Sequence, residues 1–162
     1  MQKITLEQSS SVKLSIALHE SKNDLNLGVV QISHGMAEHM GRYSHFINHL
    51  NEEGFHVIIH NHRGHGDRLV DNKIGFFASS GGWQLIVDDL VSVHNWAVNQ
   101  YPELPHILMG HSMGSWAALS ALQGKTKFDL ALISGSSKPK TLETFFQKLL
   151  VKFETIRLGP SG

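Results

Sequence analysis

A chain of 162 residues that is 41% hydrophobic and 17% charged has the length and composition of one folded domain with its own core. Its 14 Lys and Arg balance 14 Asp and Glu, so bulk charge offers no basic face to nucleic acid or anionic lipid. There is no cysteine, which excludes disulfides, thiolate catalysis and cysteine-ligated zinc together. The opening MQKITLEQSSSVKLS is too polar for a secretory signal, no apolar run reaches the length of a membrane span, and a cytoplasmic location is expected.

Two short alternating stretches, residues 4–6 and 12–18, predict a half-exposed antiparallel strand pair. The apolar run 27–32 predicts a strand ending in the loop His34-Gly35-Met36-Ala37-Glu38-His39. Residues 43–51 carry a helical face (Phe46, Ile47, Leu50), with Gly54 as a stop just beyond. Residues 55–60 form the next strand, followed by Asn61-His62-Arg63-Gly64-His65-Gly66. A longer helix spans 83–98, with Leu85, Ile86, Leu90, Val93 and Ala97 for its buried side, before Pro102 and Pro105 break the chain. Residues 106–109 are a short strand feeding the turn around Ser112, residues 113–122 a small-residue helix closed by Gly124, and 130–133 a strand with the loop 134–137 after it. Strands alternating with helices imply parallel pairing and an α/β sheet. In such sheets ligands bind beyond the carboxyl ends of the strands, and all three polar, Gly- and His-rich segments lie there.

Gly110-His111-Ser112-Met113-Gly114 fits G-x-S-x-G. In a nucleophile elbow the serine sits in a strained strand-to-helix turn, so its neighbours two residues away must lack side chains. Three fixed positions at about 7% usage each recur by chance in roughly one chain in twenty of this length, so the flanking strand and helix carry the specificity. An oxyanion hole needs a donor besides the amide of Met113, usually from an earlier strand-to-helix loop. His34-Gly35-Met36 stands in that place; Gly35 lets the backbone turn closely and the Met36 amide is the candidate donor. The competing reading of this loop is a glycine turn with two surface histidines, His34 and His39.

The run His60, His62, His65 has H-x-H-x-x-H spacing and resembles the metal-binding loop of metallo-β-lactamase-like hydrolases. That motif carries an aspartate just before its third histidine, where Gly64 stands here, and Arg63 would put a cation among the ligands. No histidine follows residue 111 to complete a metal shell. A metal-dependent hydrolase on His60, His62 and His65 is therefore the weaker alternative. Most other histidines, such as His19, His45, His49 and His94, read as surface or boundary residues.

Taken in order, the segments 34–39, Gly41-Arg42-Tyr43, 62–66, Gly75-Phe76-Phe77 and Gly110 to Ser115 resemble the α/β-hydrolase superfamily, in particular its monoacylglycerol lipase and lysophospholipase-like branch, also called serine aminopeptidase S33-like. The resemblance runs from about residue 25 to the end. It implies Ser112 as nucleophile, the amides of Met36 and Met113 as oxyanion hole, and ester hydrolysis through an acyl-enzyme without metal or cofactor. Two positions depart from the family pattern Asp-His-Arg-Gly-His-Gly-x-Ser: Asn61 replaces the acid and Arg68 the serine.

The larger departure concerns the triad. In this superfamily the order is Ser, then Asp or Glu, then His. All twelve histidines precede Ser112, and the only acidic residues after it are Asp129, Glu143 and Glu154. The resemblance therefore implies an N-terminal half: residues 1–137 as the first part of the hydrolase core and 138–162 as the start of a cap, with acid and base supplied by a second half. Leu142, Phe145, Phe146, Leu149, Phe153 and Ile156 recur at helical spacing, which fits either an ordinary core helix or a cap helix that guides an acyl chain or touches a membrane surface. Two functions compete. One is a serine ester hydrolase acting on a small ester or lipid, inactive as this chain alone; the other is a non-catalytic remnant that binds a ligand or partner. Self-association, or pairing with a complementary C-terminal half, is expected.

Overall fold

The computed structural model describes residues 1–6, 12–124 and 126–137, so the predicted cap segment and its apolar stripe lie outside the described residues. The elements are β1 (Gln2–Leu6), β2 (Leu14–His19), β3 (Gly28–Ser33), a 3-10 turn (Met40–Tyr43), α1 (Ser44–Glu52), β4 (Phe55–His60), α2 (Gly82–Gln100), β5 (His106–His111), α3 (Met113–Leu122) and β6 (Leu130–Ser134). They build one six-stranded sheet in the order β1-β2-β4-β3-β5-β6. β1, β2 and β4 pair antiparallel; β4, β3, β5 and β6 pair parallel. The predicted α/β architecture and the antiparallel opening pair are both present.

The central strands are continuous apolar runs because both of their faces are covered. On one face Leu14, Ile16, Leu18, Val29 and Ile58 pack with Val93 and Ala97 of α2. On the other, Ala17, Val30, Ile32, Val57 and Ile59 pack with Ile47 of α1. Small side chains on α3 let it approach closely: Ala118 and Ala121 pack with Leu108 of β5 and with Val87 and Leu90 of α2. The parallel register sets Ser33 opposite Gly110 and His111 opposite Ser134. The carboxyl ends of β3, β5 and β6 therefore meet at one place.

Several details differ from expectation. α1 buries Ile47, but Phe46 is 36% exposed and Leu50 half-buried. Asn51 takes the buried place instead, its amide donating to the carbonyls of His19 (3.0 Å) and Phe55 (2.9 Å). His94, expected at the surface or its boundary, is buried against Phe128 with ring centroids 3.9 Å apart. Leu85 is only half-buried, and Asp89 of the same helix is buried in the stripe that was expected to be apolar.

Candidate active site

β5 delivers its chain directly into the turn at Ser112. Ser112 has φ 51° and ψ −121°, a left-handed backbone that costs a non-glycine residue on the order of 1–3 kcal/mol. Surrounding hydrogen bonds hold it there. Its amide donates to the Ser134 carbonyl at the end of β6 (2.9 Å), and its carbonyl accepts from the amide (2.9 Å) and hydroxyl (2.5 Å) of Ser115. A Cβ on Gly110 would sit 2.6 Å from the Gly114 carbonyl and 2.7 Å from the Ser115 Cα. One on Gly114 would overlap the carbonyl oxygens of Ser33 and His34. Both glycines are required by contact with backbone.

The β3 loop reaches the same point. A Cβ on Gly35 would lie 3.1 Å from the Cβ of Ser112, so this glycine lets the loop pass against the serine. Its amide donates to the Glu38 carboxylate (2.8 Å), which also accepts from the Tyr43 hydroxyl (2.8 Å). Burial opposes charge on Glu38, but these two donors and the nearby His111 and Arg42 hold its carboxyl below the usual range. Burial and the Glu38 charge raise the Tyr43 hydroxyl. Glu38, Arg42, Tyr43, Phe46, Met109 and His111 line a cleft of about 280 Å³ beside the elbow. A second cavity of about 380 Å³, bounded by Ala17, Met40, Ile47 and Ile59, does not include Ser112.

Beneath the loop lies a histidine layer. His34 and His62 stand 4.4 Å apart, His34 and His65 5.4 Å, and His60 and His62 5.1 Å between ring centroids. His34 Nδ1 bonds the Gly35 carbonyl (2.8 Å), while its Nε2 accepts from the His62 amide (2.9 Å). His65 Nδ1 bonds the Arg63 carbonyl (3.0 Å), and its Nε2 accepts from the Ala37 amide (3.2 Å). Each ring is therefore a neutral Nδ1–H tautomer, donating on one side and accepting on the other. Burial pushes His34 down to about 4, and pushes His60 to about 3 with Arg68 adding to the effect. His62 is driven well below its ordinary value by burial and then by its histidine neighbours.

This arrangement corrects the two competing readings of the histidines. His34 is fully buried, not a surface residue. His65 has both ring nitrogens bound to backbone, which leaves it no lone pair for a cation, so His60, His62 and His65 do not form a metal triad. Among the described residues no group of three His, Asp or Glu side chains is placed to hold a metal ion.

The positions that depart from the family motif are structurally coupled. Asn61 accepts from the Met40 amide (2.8 Å) and donates to Asp67 (2.8 Å), which pairs with Lys3 (2.7 Å). Arg68 turns inward and shares buried Asp89 with Arg63, each placing a nitrogen 2.9 Å from the same carboxylate oxygen. Arg68 also donates to the carbonyls of Lys13 (2.9 Å) and Asn61 (3.1 Å). Gly75 donates to the Gly64 carbonyl (2.8 Å), and a Cβ on Gly64 would meet Phe76 at 2.7 Å. The Gly-Phe-Phe segment thus closes over this loop.

The sequence places Glu38 and Tyr43 in motifs without showing what they bind, and Asp89 was missed altogether. Asp89 had a readable signal: it stands three residues after Ile86 and four before Val93, on the buried stripe. A carboxylate there demands a buried cation.

Comparison with known proteins agrees with this fold. The family model described as serine aminopeptidase, S33, matches residues 26–156. A monoglyceride lipase of Rattus norvegicus is 33% identical over 129 residues, covering 75% of this chain and 41% of its own length. A monoacylglycerol lipase of Mycolicibacterium smegmatis is 39% identical over 87 residues, covering 54% and 29%. Among solved structures, a thermostable carboxyl esterase from Bacillus coagulans in complex with glycerol superposes with TM-score 0.79 at 28% identity, over 98% of this chain and 51% of that one. A soluble variant of monoglyceride lipase from Saccharomyces cerevisiae has TM-score 0.70 at 20% identity, over 97% and 52%, and so shares the fold. The chain thus spans about half, or less, of the length of these relatives. Its fold, its motifs in order and these matches place it: the chain belongs to the serine aminopeptidase S33 family of α/β-hydrolases, in the branch of the monoglyceride lipases.

Proposed function

We propose that this chain is the nucleophile-bearing part of a serine hydrolase that cleaves carboxylic esters of the monoacylglycerol type. The reading rests chiefly on one observation: Ser112 is held in a left-handed backbone at the end of β5 with the Gly35 loop packed against it. The Ser112 hydroxyl attacks the ester carbonyl and loses its proton to a base, while the amides of Met36 and Met113 stabilise the oxyanion. Collapse of the tetrahedral intermediate protonates and releases the alcohol and leaves an acyl-serine. Water, deprotonated by the same base, then frees the acid and restores the serine.

Among the described residues no histidine nitrogen is hydrogen-bonded to the Ser112 hydroxyl; the nearest in sequence, His111, stands 3.4 Å from the Ser134 hydroxyl. The base and its acid are therefore assigned to the half of the relatives' length that this chain does not span. A non-catalytic remnant that binds a ligand or partner is the second reading, and the same missing base is what favours it.

The test is p-nitrophenyl butyrate and monoacylglycerol hydrolysis by three proteins: the chain, a chimera joining residues 1–137 to the remainder of the rat monoglyceride lipase, and the Ser112→Ala chimera. The chain alone should run at least roughly a thousandfold below the chimera, since losing the triad base leaves only binding and the oxyanion hole. The Ser112→Ala chimera should fall to the level of the chain alone. Robust turnover by the chain, lost in its own Ser112→Ala variant, would mean an upstream histidine is the base. A folded but inert chimera would favour the remnant.

A further inference from the structure

The Gly35 peptide is gripped from both sides. Its N–H goes to the Glu38 carboxylate at 2.8 Å and its C=O to His34 Nδ1 at 2.8 Å. Further along the loop the Ala37 amide donates to His65 and the Met40 amide to Asn61. Among the described residues the Met36 amide, like those of Glu38 and His39, donates to no protein acceptor. The Gly35–Met36 peptide is trans, so its C=O and N–H point in opposite directions. Fixing the Gly35 carbonyl toward His34 therefore fixes the direction of the Met36 N–H.

We propose that His34 and Glu38 act as a two-sided clamp on Gly35, positioning residues that hold the Met36 N–H toward the Ser112 hydroxyl. The inference rests on the reading of Ser112 as nucleophile only for the purpose the clamp serves; the clamp itself is a statement about three peptide groups. Glu38 occupies the Gly35 amide, so the oxyanion donor in this loop is Met36 and not Gly35. His34 performs its part through a single tautomer: Nδ1–H must donate to Gly35 while Nε2 accepts from the His62 amide. The loop thereby hangs on the segment that follows β4. A protonated His34 would lose that acceptor, and burial, which holds the ring down to about 4, keeps it neutral at ordinary pH. Tyr43 serves the clamp indirectly, because its hydroxyl donates to the same Glu38 oxygen that receives Gly35.

Proton–nitrogen correlation spectra of the ¹⁵N-labelled chain test this without reference to turnover. A charge-assisted bond is short and deshields the amide proton, so the Gly35 resonance should lie downfield. It should stay there as pH falls through the ordinary glutamate range and move only below it, following Glu38. Glu38→Gln should shift Gly35 upfield, abolish that acid titration, and also move Met36, with which Glu38 shares no hydrogen bond. Tyr43→Phe should raise the midpoint of the Gly35 titration. His34→Ala should move Gly35, Met36 and His62 together, while Ala97 in α2 reports that the fold persists. Should His34→Ala fail to fold, Glu38→Gln and Tyr43→Phe still decide the matter. A Gly35 amide at its random-coil position, or a Met36 resonance unmoved by Glu38→Gln, overturns the clamp. An inert chimera in the ester assay would leave the clamp standing and remove only the reaction assigned to it.

Discussion

Ser112 illustrates what a residue pattern can and cannot specify. G-x-S-x-G was readable because the two glycines answer a contact requirement: each would otherwise drive a Cβ into backbone atoms. Gly114 is the stricter, its hypothetical Cβ overlapping two carbonyl oxygens that cannot rotate away. Gly114→Ala should destabilise the chain by about 2 kcal/mol or more, as overpacking against fixed groups does, and urea midpoints will measure it. The Gly35 clamp was not readable. Glu38 lies three residues from Gly35 with nothing in the sequence to say that it turns back on its own loop rather than into solvent. In the active chimera, Glu38→Gln should lower kcat about tenfold and leave KM within about twofold. An oxyanion donor is felt in the transition state and not in substrate binding, and complete removal of one costs more than a misalignment does.

At the scale of elements, the loop after β4 and helix α2 are joined by charge rather than by apolar packing alone. Asp89 compensates both Arg63 and Arg68, with side chains nearly inaccessible to water. Asp89→Asn leaves two guanidinium groups buried without their carboxylate and should cost about 3–5 kcal/mol. Arg68→Ser keeps the Arg63–Asp89 pair but strips the Lys13 and Asn61 carbonyls of their donor, and should cost less, about 1–3 kcal/mol. Denaturant titrations of the two variants should therefore rank Asp89→Asn as the more damaging; the reverse order would deny Asp89 its central place. The histidine layer gives the same region its pH response. His34 and His60 titrate lower in the folded chain than in the unfolded one, so the unfolded chain binds more protons as pH falls below about 6.5. Their contribution is complete above that value. It is lost progressively toward pH 4 at on the order of 1 kcal/mol per pH unit for each ring. Thermal unfolding followed from pH 7 to pH 4 should show Tm falling across this window; a Tm flat down to pH 5 would contradict the buried neutral rings.

For the whole molecule, the sheet was legible because period and spacing dictate it. Alternating stretches at the start, continuous apolar runs later and helices between them required an antiparallel pair leading into parallel strands, and the strand order adds only the crossover that sets β4 beside β2. What stayed hidden was long-range: which polar groups meet across 20 to 55 residues, as buried Arg63, Asp89 and Arg68 do with one another and Arg68 does with the Lys13 carbonyl. The same sheet carries a consequence for association. Among the described residues β6 pairs only with β5, and its other edge bears no proline or lysine to discourage pairing. Leu130 is 51% exposed, Leu132 48% and Ile133 38%, and Trp116 and Leu119 of α3 are exposed as well. Exposed apolar surface, where it is contiguous, marks an interaction site or an aggregation hazard, and the relatives extend well beyond the half that this chain matches. The chain by itself should dimerise or aggregate with rising concentration, and the chimera, which supplies the remaining half, should not. Light scattering across a dilution series distinguishes the outcomes. A chain that stays a sharply two-state monomer at high concentration would show that β6 is covered from within, and the need for a complementary half would have to be abandoned.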